Sequence, residues 1–302
     1  MPATAAMALV VWLIEGLFER QIWLPFLFFV LSTYIIVELN TAFALLRTYS
    51  RMVSCAFIVL CCGASFFFTQ WANGVMTFCF VASFANLFKS YQDRESVGHT
   101  FYSFVAYGMA SVFWVQMLWV VPFAWILMII CLRSFSMRTF MASVFGILTP
   151  YWFASVYFVY TMDYETPLAH LRKLADFGPL AKGAPESEYM QMLLSLGVER
   201  YVCFAFVVAL FVTGVVHYLR NRFNDKLNTR MYYDIFITYG MLFLAGILLQ
   251  PQHFDALFHL LIVCTSPLIA HFITHTRTFI TNISFMVIVA VALCIIVLNL
   301  II

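Results

Sequence analysis

The feature that most constrains this chain is a repeated one: long unbroken apolar runs joined by short polar links. The stretch 280–302 carries no charged residue at all. A helix needs about 20 apolar residues to cross a bilayer, and only helices and closed barrels satisfy their backbone groups there. A membrane barrel alternates apolar and polar positions in segments of about ten residues, whereas these runs are continuous. The chain therefore reads as an all-α polytopic transmembrane helix bundle. Composition agrees, with 64% apolar and 10% charged residues, against about half and a quarter in soluble domains. That balance excludes a water-soluble enzyme, a disordered chain and a secreted disulfide scaffold. A net charge of +2 gives no field to attract a polyanion, so nucleic acid is excluded as a partner. The eight cysteines all lie inside apolar runs, and none has zinc-ligand spacing to histidine. They read as packing residues.

Eleven runs can be drawn: 3–18, 22–37, 52–69, 74–88, 100–114, 115–132, 139–161, 201–219, 232–249, 256–272 and 278–302. Ten to twelve spans bound the count. The run 3–18 lacks a basic n-region and a small-residue cleavage site, so it reads as a retained first helix and not a signal peptide. If it lies on the membrane surface, the count falls to ten. The stretch 100–132 is too long for one crossing and short for two. A break near 114–116 is expected, with one long tilted helix plus a re-entrant piece as the alternative. The mixed segment 38–51 reads as an interfacial helix or as a helical extension lying at the membrane surface. The only sizeable polar segment, 162–199, is punctuated by Pro167, Gly178, Pro179, Gly183 and Pro185. Within it, 167–177 suits a short surface helix with proline in its first turn. This segment is too short for a domain of its own. Residues 1–302 are therefore one transmembrane domain, with 162–199 as a periplasmic loop or cap between helices seven and eight.

Basic residues favour alternate loops. One set holds Arg47, Arg51, Lys89, Arg94, Arg133, Arg138, Arg220, Arg222, Lys226, Arg230 and Arg277, which is 11 of the 16 Lys and Arg. The positive-inside rule assigns that set to the cytoplasm. The N-terminus is then cytoplasmic, and the C-terminus and 162–199 lie on the outer side.

Ionisable groups near membrane depth are functional candidates by default. Glu15 and Glu19 stand four apart and would share a helical face beside Arg20. Such a carboxylate pair can act as general base or hold a metal, or it can be a solvated turn with a Glu–Arg pair. Asp163 and Glu165 allow the same two readings. His253, Asp255 and His259 cluster at one end of a run, and His271 and His275 at the other. About 20 Å of straight helix separates the two histidine pairs, so they cannot form one metal site. They read as interfacial histidines with hydrogen-bond partners. Pro267 lies between them and would free a carbonyl near Val263. Arg47, Arg51, Arg133 and Arg138, with Asn40, can hold lipid head groups or merely set orientation. No P-loop, nucleophile elbow, zincin or dinucleotide fingerprint occurs. No metal or cofactor is expected.

The landmarks Glu38-Leu-Asn40, Arg47-Thr-Tyr-Ser-Arg51-Met, Ser90-Tyr-Gln-Asp93 and Arg133-Ser-Phe-Ser-Met-Arg138 run in that order. Gly146-Ile-Leu-Thr-Pro150-Tyr-Trp, Ser266-Pro267-Leu-Ile-Ala-His271-Phe and Thr281-Asn-Ile-Ser-Phe follow. Together they resemble a family of polytopic inner-membrane proteins of Gram-negative bacteria of the Bacteroidetes type. The resemblance covers nearly the whole chain, implies a bacterial inner membrane with its outer side periplasmic, and supplies no activity and no catalytic residues. Because nothing in the sequence demands chemistry, the first expectation is a non-catalytic component of cell-envelope biogenesis, such as a partner subunit. A fainter architectural likeness is to the membrane module of type C glycosyltransferases, which use lipid-phosphate sugar donors. It implies a catalytic acid at Glu15 or Glu19, with Asp163 and Glu165 supporting it or binding metal. Arg172 and Lys173 would then bind the lipid phosphate. The chain lacks that family's paired acids in the first loop and its large outer domain. A transporter or channel is the third expectation, with a polar path past Asn86, Gln116 and Pro267. Membrane lipid is the expected partner, together with a lipid-linked glycan or another membrane subunit.

Overall fold

The computed structural model describes residues 1–175, 191, 195–275 and 279–301. Twelve α-helices and no strand occur among them. They are α1 (Pro2–Ile14), α2 (Trp23–Phe43), α3 (Met52–Cys62), α4 (Trp71–Leu87), α5 (Val97–Phe113) and α6 (Val120–Leu127). Then follow α7 (Met137–Thr161), α8 (Glu165–Arg172), α9 (Val198–Asn221), α10 (Leu227–Leu249), α11 (Phe254–His275) and α12 (Phe279–Ile301). Each of the eleven apolar runs becomes a helix, and α8 is the addition. Eight segments are long and apolar enough to cross a membrane: α2, α4, α7, α9 to α12, and the rod Val115–Leu132 that contains α6. The remaining three are short, at 13 residues for α1, 11 for α3 and 17 for α5.

The break expected in 100–132 falls at Trp114, whose backbone is extended at φ −140 and ψ 97. One local expectation needs correction, and one alternative is decided. The segment 38–51 follows the helical-extension reading, not the separate interfacial helix. Its first residues, Glu38 and Asn40 included, extend α2 to Phe43, and Ala44 then turns left-handed at φ 45. Asn40 ties down the loop beyond by donating to the Ser50 carbonyl at 2.7 Å. The surface helix of 167–177 starts two residues earlier, at Glu165. Residues 176 and 177, and most of the cap beyond, lie outside the described residues.

The bundle is built around α11, in which every residue from Leu260 to His271 is buried. A helix apolar on all sides has no face for water, and the two hydroxyls in its middle bond to their own helix. Thr265 donates to the Leu261 carbonyl at 2.8 Å and Ser266 to that of Ile262 at 2.7 Å. Helices α3, α4, α9 and α10 pack around it. Phe80 and Phe84 on α4 and Phe88 just past its end, at one-turn spacing, interlock with Tyr232, Phe236 and Tyr239 on α10. Where helices lack a hydrophobic drive towards each other, small residues permit close backbone approach. Gly108 and Gly146 serve the α5–α7 crossing, where a Cβ on either would meet a carbonyl oxygen of the other helix at 2.7 Å. Gly214 serves the α9–α11 crossing, where its Cβ would stand 2.8 Å from Leu268 Cβ. That second approach positions the site described next.

Polar links between loops sort into two ends. At one end Arg47 meets Asp225, Arg138 meets Glu95, and Arg51 reaches the Met1 sulfur. At the other Arg200 meets Asp255, Gln116 donates to the Lys173 carbonyl, and Asn299 donates to the Gly63 carbonyl. The short helices α1 and α3 each have one terminus in each group.

Candidate functional site

The densest gathering of ionisable side chains lies at the first of these ends. Five residues that are distant in sequence meet there. Arg47 comes from the α2–α3 loop, His217 from α9, Asp225 from the α9–α10 loop, and His271 and His275 from the last two turns of α11. Asp225 is 6% exposed and His271 1%. Buried polar groups at this depth require partners, and these form a chain. Arg47 Nε donates to Asp225 Oδ1 at 3.0 Å. Asp225 Oδ2 faces His271 Nε2 at 3.1 Å. His271 Nδ1 faces His217 Nδ1 at 3.3 Å. Tyr233 seals the inner side, its ring 5.1 Å from that of His271, with its hydroxyl donating to the Leu45 carbonyl at 3.3 Å.

Hydrogen-bond chemistry fixes the tautomers. A carboxylate only accepts, so His271 carries its proton on Nε2 and accepts at Nδ1 from His217 Nδ1–H. A carbonyl also only accepts. His275 Nδ1, 3.2 Å from the His271 carbonyl, therefore carries the proton, and its Nε2 bears a lone pair. The His275 ring stacks on that of His271, with centroids 4.3 Å apart. For Asp225, burial pushes the carboxyl up. The hydrogen bond from His271 and the Arg47 guanidinium outweigh it, and the carboxyl sits below its ordinary range. Asp225, His271 and His275 each bring one ligand-type atom within 4.8 Å of the others, the one such trio among the described residues. A second ion pair, Arg222 with Asp234, lies alongside, and Tyr218 donates to the same carboxylate at 3.1 Å.

An apolar cleft of about 430 Å³ opens beside this centre, between α1, α3, α9, α11 and α12. Phe206 and Leu210 form its α9 wall. His217, seven residues further, continues the same helical face at about 10 Å. Ile269 and Ile273 of α11 and Ile288 and Val289 of α12 close the other sides.

The carboxylate candidates read from the sequence, with Arg172 and Lys173, sit at the opposite end. Glu15 and Glu19 do not share a helical face. Helix α1 ends at Ile14, and Gly16, at φ 87, turns the chain away. Glu15 instead pairs with Arg20 at 3.7 Å and lines a polar cleft of about 410 Å³ with Glu199 and Asn299. Glu19 is exposed. Asp163 caps the start of α8, accepting from Thr166 Oγ1 at 2.6 Å and Thr166 N at 3.1 Å, which lowers its carboxyl pKa. Glu165, Arg172 and Lys173 are exposed. Among the described residues, no hydrogen bond or ion pair joins Glu15 or Glu19 to Asp163, Glu165, Arg172 or Lys173. Asn86 donates to its own helix at Ala82, 3.1 Å away, and Gln116 to Lys173. The two amides thus point to different elements and do not share one path.

Sequence reasoning reaches the His271/His275 spacing and Arg47. It does not reach Asp225 or His217, which are 46 and 54 residues from His271. One signal was available: His217 lies two turns along the apolar α9 face that carries Leu210. No family model, no curated protein and no solved structure matches the chain.

Proposed function

We propose that this is a multi-pass protein of a bacterial inner membrane that handles an anionic amphiphile at the cytoplasmic face, as a component of cell-envelope biogenesis. The observation that carries the reading is the apolar cleft whose α9 wall continues into His217 and the Arg47–Asp225 centre. Its volume falls in the range of small-molecule sites, and its apolar walls suit an acyl chain. Among the described residues, no charged side chain lines the cleft itself; the cationic and hydrogen-bonding groups for a head group are His217 along α9 and His275 along α11, both within two turns of its walls, with Arg47.

Eleven crossings, with the N-terminus in the cytoplasm and the C-terminus in the periplasm, accord with the two-ended sorting of polar links. Arg47–Asp225 and Arg138–Glu95 each join two loops of the basic set, while Arg200–Asp255 and Gln116–Lys173 join loops of the other. Helices α1 and α3 each connect the two groups despite their length, which supports counting both. Reporter fusions after Glu95 and after Thr166 test this: the first is active only in the cytoplasm and the second only in the periplasm.

The lipid reading is tested by mass spectrometry of lipids retained by the purified protein, wild type against Val289→Trp, which fills the cleft from α12. A discrete acidic lipid, retained by the wild type and lost from the variant, is the expected result. Bulk phospholipid alone in both refutes it.

One observation favours a second reading, transfer from a lipid-linked sugar at the outer face: the cleft at the far end carries Glu15 with Glu199 and Arg20. Loss of turnover in Glu15→Gln, with polyprenyl-phosphate retained, would put the working site there.

A further inference from the structure

We infer that Asp225, His271 and His275 form a binding site for a divalent transition-metal ion of the zinc type, with His217 and Arg47 orienting the ligands. The inference stands apart from the lipid reading and rests on hydrogen-bond bookkeeping.

The first observation is His275 Nε2. It is buried and has no hydrogen-bond partner. Because Nδ1 donates its proton to the His271 carbonyl, Nε2 presents a bare lone pair. A buried acceptor left unmet is destabilising. The arrangement matches what a metal-binding imidazole needs, since a ligating histidine donates its other ring N–H to a carbonyl or carboxylate, which fixes tautomer and ring angle.

The second observation is convergence. One ligand atom from each of the three residues lies within 4.8 Å of the other two. Around a tetrahedral ion with bonds of about 2.0–2.1 Å, ligand atoms stand about 3.4 Å apart. Side-chain adjustment of at most about 1.4 Å closes that gap. Two imidazoles and one carboxylate select a borderline-soft ion over magnesium or calcium, which prefer oxygen ligands.

The third observation is the support behind each ligand. Arg47 holds Asp225 by Oδ1 and leaves Oδ2 facing the centre. His271 must give up its Nε2 proton to bind, and His217 provides for this. When Nε2 takes the ion, the His271 proton resides on Nδ1 and donates to His217 Nδ1. The His217 proton then moves to its own Nε2. Both rings remain neutral, no proton is lost overall, and the 3.3 Å contact persists with its direction reversed. Three protein ligands leave a fourth position open, as in sites that exchange or activate a bound group.

The test uses the full chain, purified without a histidine tag, stripped with chelator and reconstituted in nanodiscs. Cobalt(II) serves as the spectroscopic probe and zinc(II) as the competitor. One equivalent of cobalt should bind with the strong visible absorption of a tetrahedral site and be displaced by zinc. His275→Gln leaves the Arg47–Asp225–His271–His217 chain intact and should abolish that spectrum while the protein stays folded by thermal unfolding. Asp225→Asn should do the same. His217→Ala should weaken binding about 10–100-fold, as loss of an orienting partner does. An unchanged cobalt spectrum in His275→Gln, or no binding by the wild type beyond that variant, overturns the inference. Lipid retention measured on the same samples reports on the lipid reading separately.

Discussion

Replacing Gly214 by alanine probes how the bundle positions its polar centre. The new Cβ would stand 2.8 Å from Leu268 Cβ, 2.9 Å from the Leu268 carbonyl carbon and 3.2 Å from the Ile269 nitrogen. Two of these are backbone atoms, and a Cβ moves with its backbone, so no rotamer change relieves the clash. Carbon–carbon contact is comfortable at about 3.5–4.0 Å, so α9 and α11 must part by about 0.7 Å. His217 lies less than one turn beyond Gly214, and its Nδ1 is 3.3 Å from that of His271. Parted by that amount, the pair stands near 4 Å, outside hydrogen-bond reach. Alanine gains about 1 kcal/mol in helix propensity over glycine, which the lost hydrogen bond, worth about 1 kcal/mol, cancels. What remains is the overpacking cost of about 1–3 kcal/mol. Thermal unfolding in detergent should show that loss, and the cobalt affinity should fall with it. Gly98→Ala is the control, since nothing lies within 4 Å of its Cβ, and it should leave both unchanged or raise the melting temperature. A Gly214→Ala protein as stable as wild type, with unaltered cobalt affinity, would falsify the claim that this crossing sets the His217–His271 distance.

Three further outcomes follow from the same contacts. The Asp225 carboxyl is held below its ordinary range, so its contribution to stability is present above the usual carboxylate pKa and lost as pH falls through the folded value. Arg47→Ala removes one lowering influence, and the acid-unfolding midpoint should move to higher pH. Tyr107 and Tyr239 share a buried hydroxyl pair at 3.1 Å; Tyr107→Phe orphans its partner and should cost about 1–3 kcal/mol, while the double Phe variant should recover part of that in equilibrium unfolding. Asp163→Asn weakens the cap on Thr166, and amide exchange at Thr166 should quicken. Because the Asp163 pKa is lowered, the wild type should lose the same protection as pH falls through that lowered value.

Much of the fold was legible because burial in lipid writes itself into local sequence. All eleven apolar runs became helices, and the break at Trp114 fell where the run was too long for one crossing. Helix length was less legible. The run 3–18 resumes after Glu15 with Leu17 and Phe18, yet Gly16 at φ 87 stops α1 early, and the Glu15/Glu19 pair inferred from helical spacing dissolved with it. The polar centre was largely hidden for a different reason. His271 and His275 are visible as a one-turn pair, but Asp225 sits among Asn224 and Lys226 in what reads as an ordinary solvated loop. Its role depends on a contact with Arg47 across 178 residues, and no local pattern encodes that.

The short helices α1 and α3 pack side by side next to the apolar cleft. At 1.5 Å per residue they span about 20 and 17 Å, against a hydrocarbon core of about 30 Å. Bilayer thickness is elastic, and each ångström of mismatch costs a fraction of a kcal/mol. If both cross the bilayer, as proposed above, the two leaflets on this flank would be pinched towards one another, while the longer helices elsewhere would hold them at full separation. The surrounding membrane would then carry a dent where the cleft opens. A lipid entering there would have its head group already displaced towards the midplane, so part of the work of leaving the leaflet would be done by the shape of the bilayer before any side chain touches it.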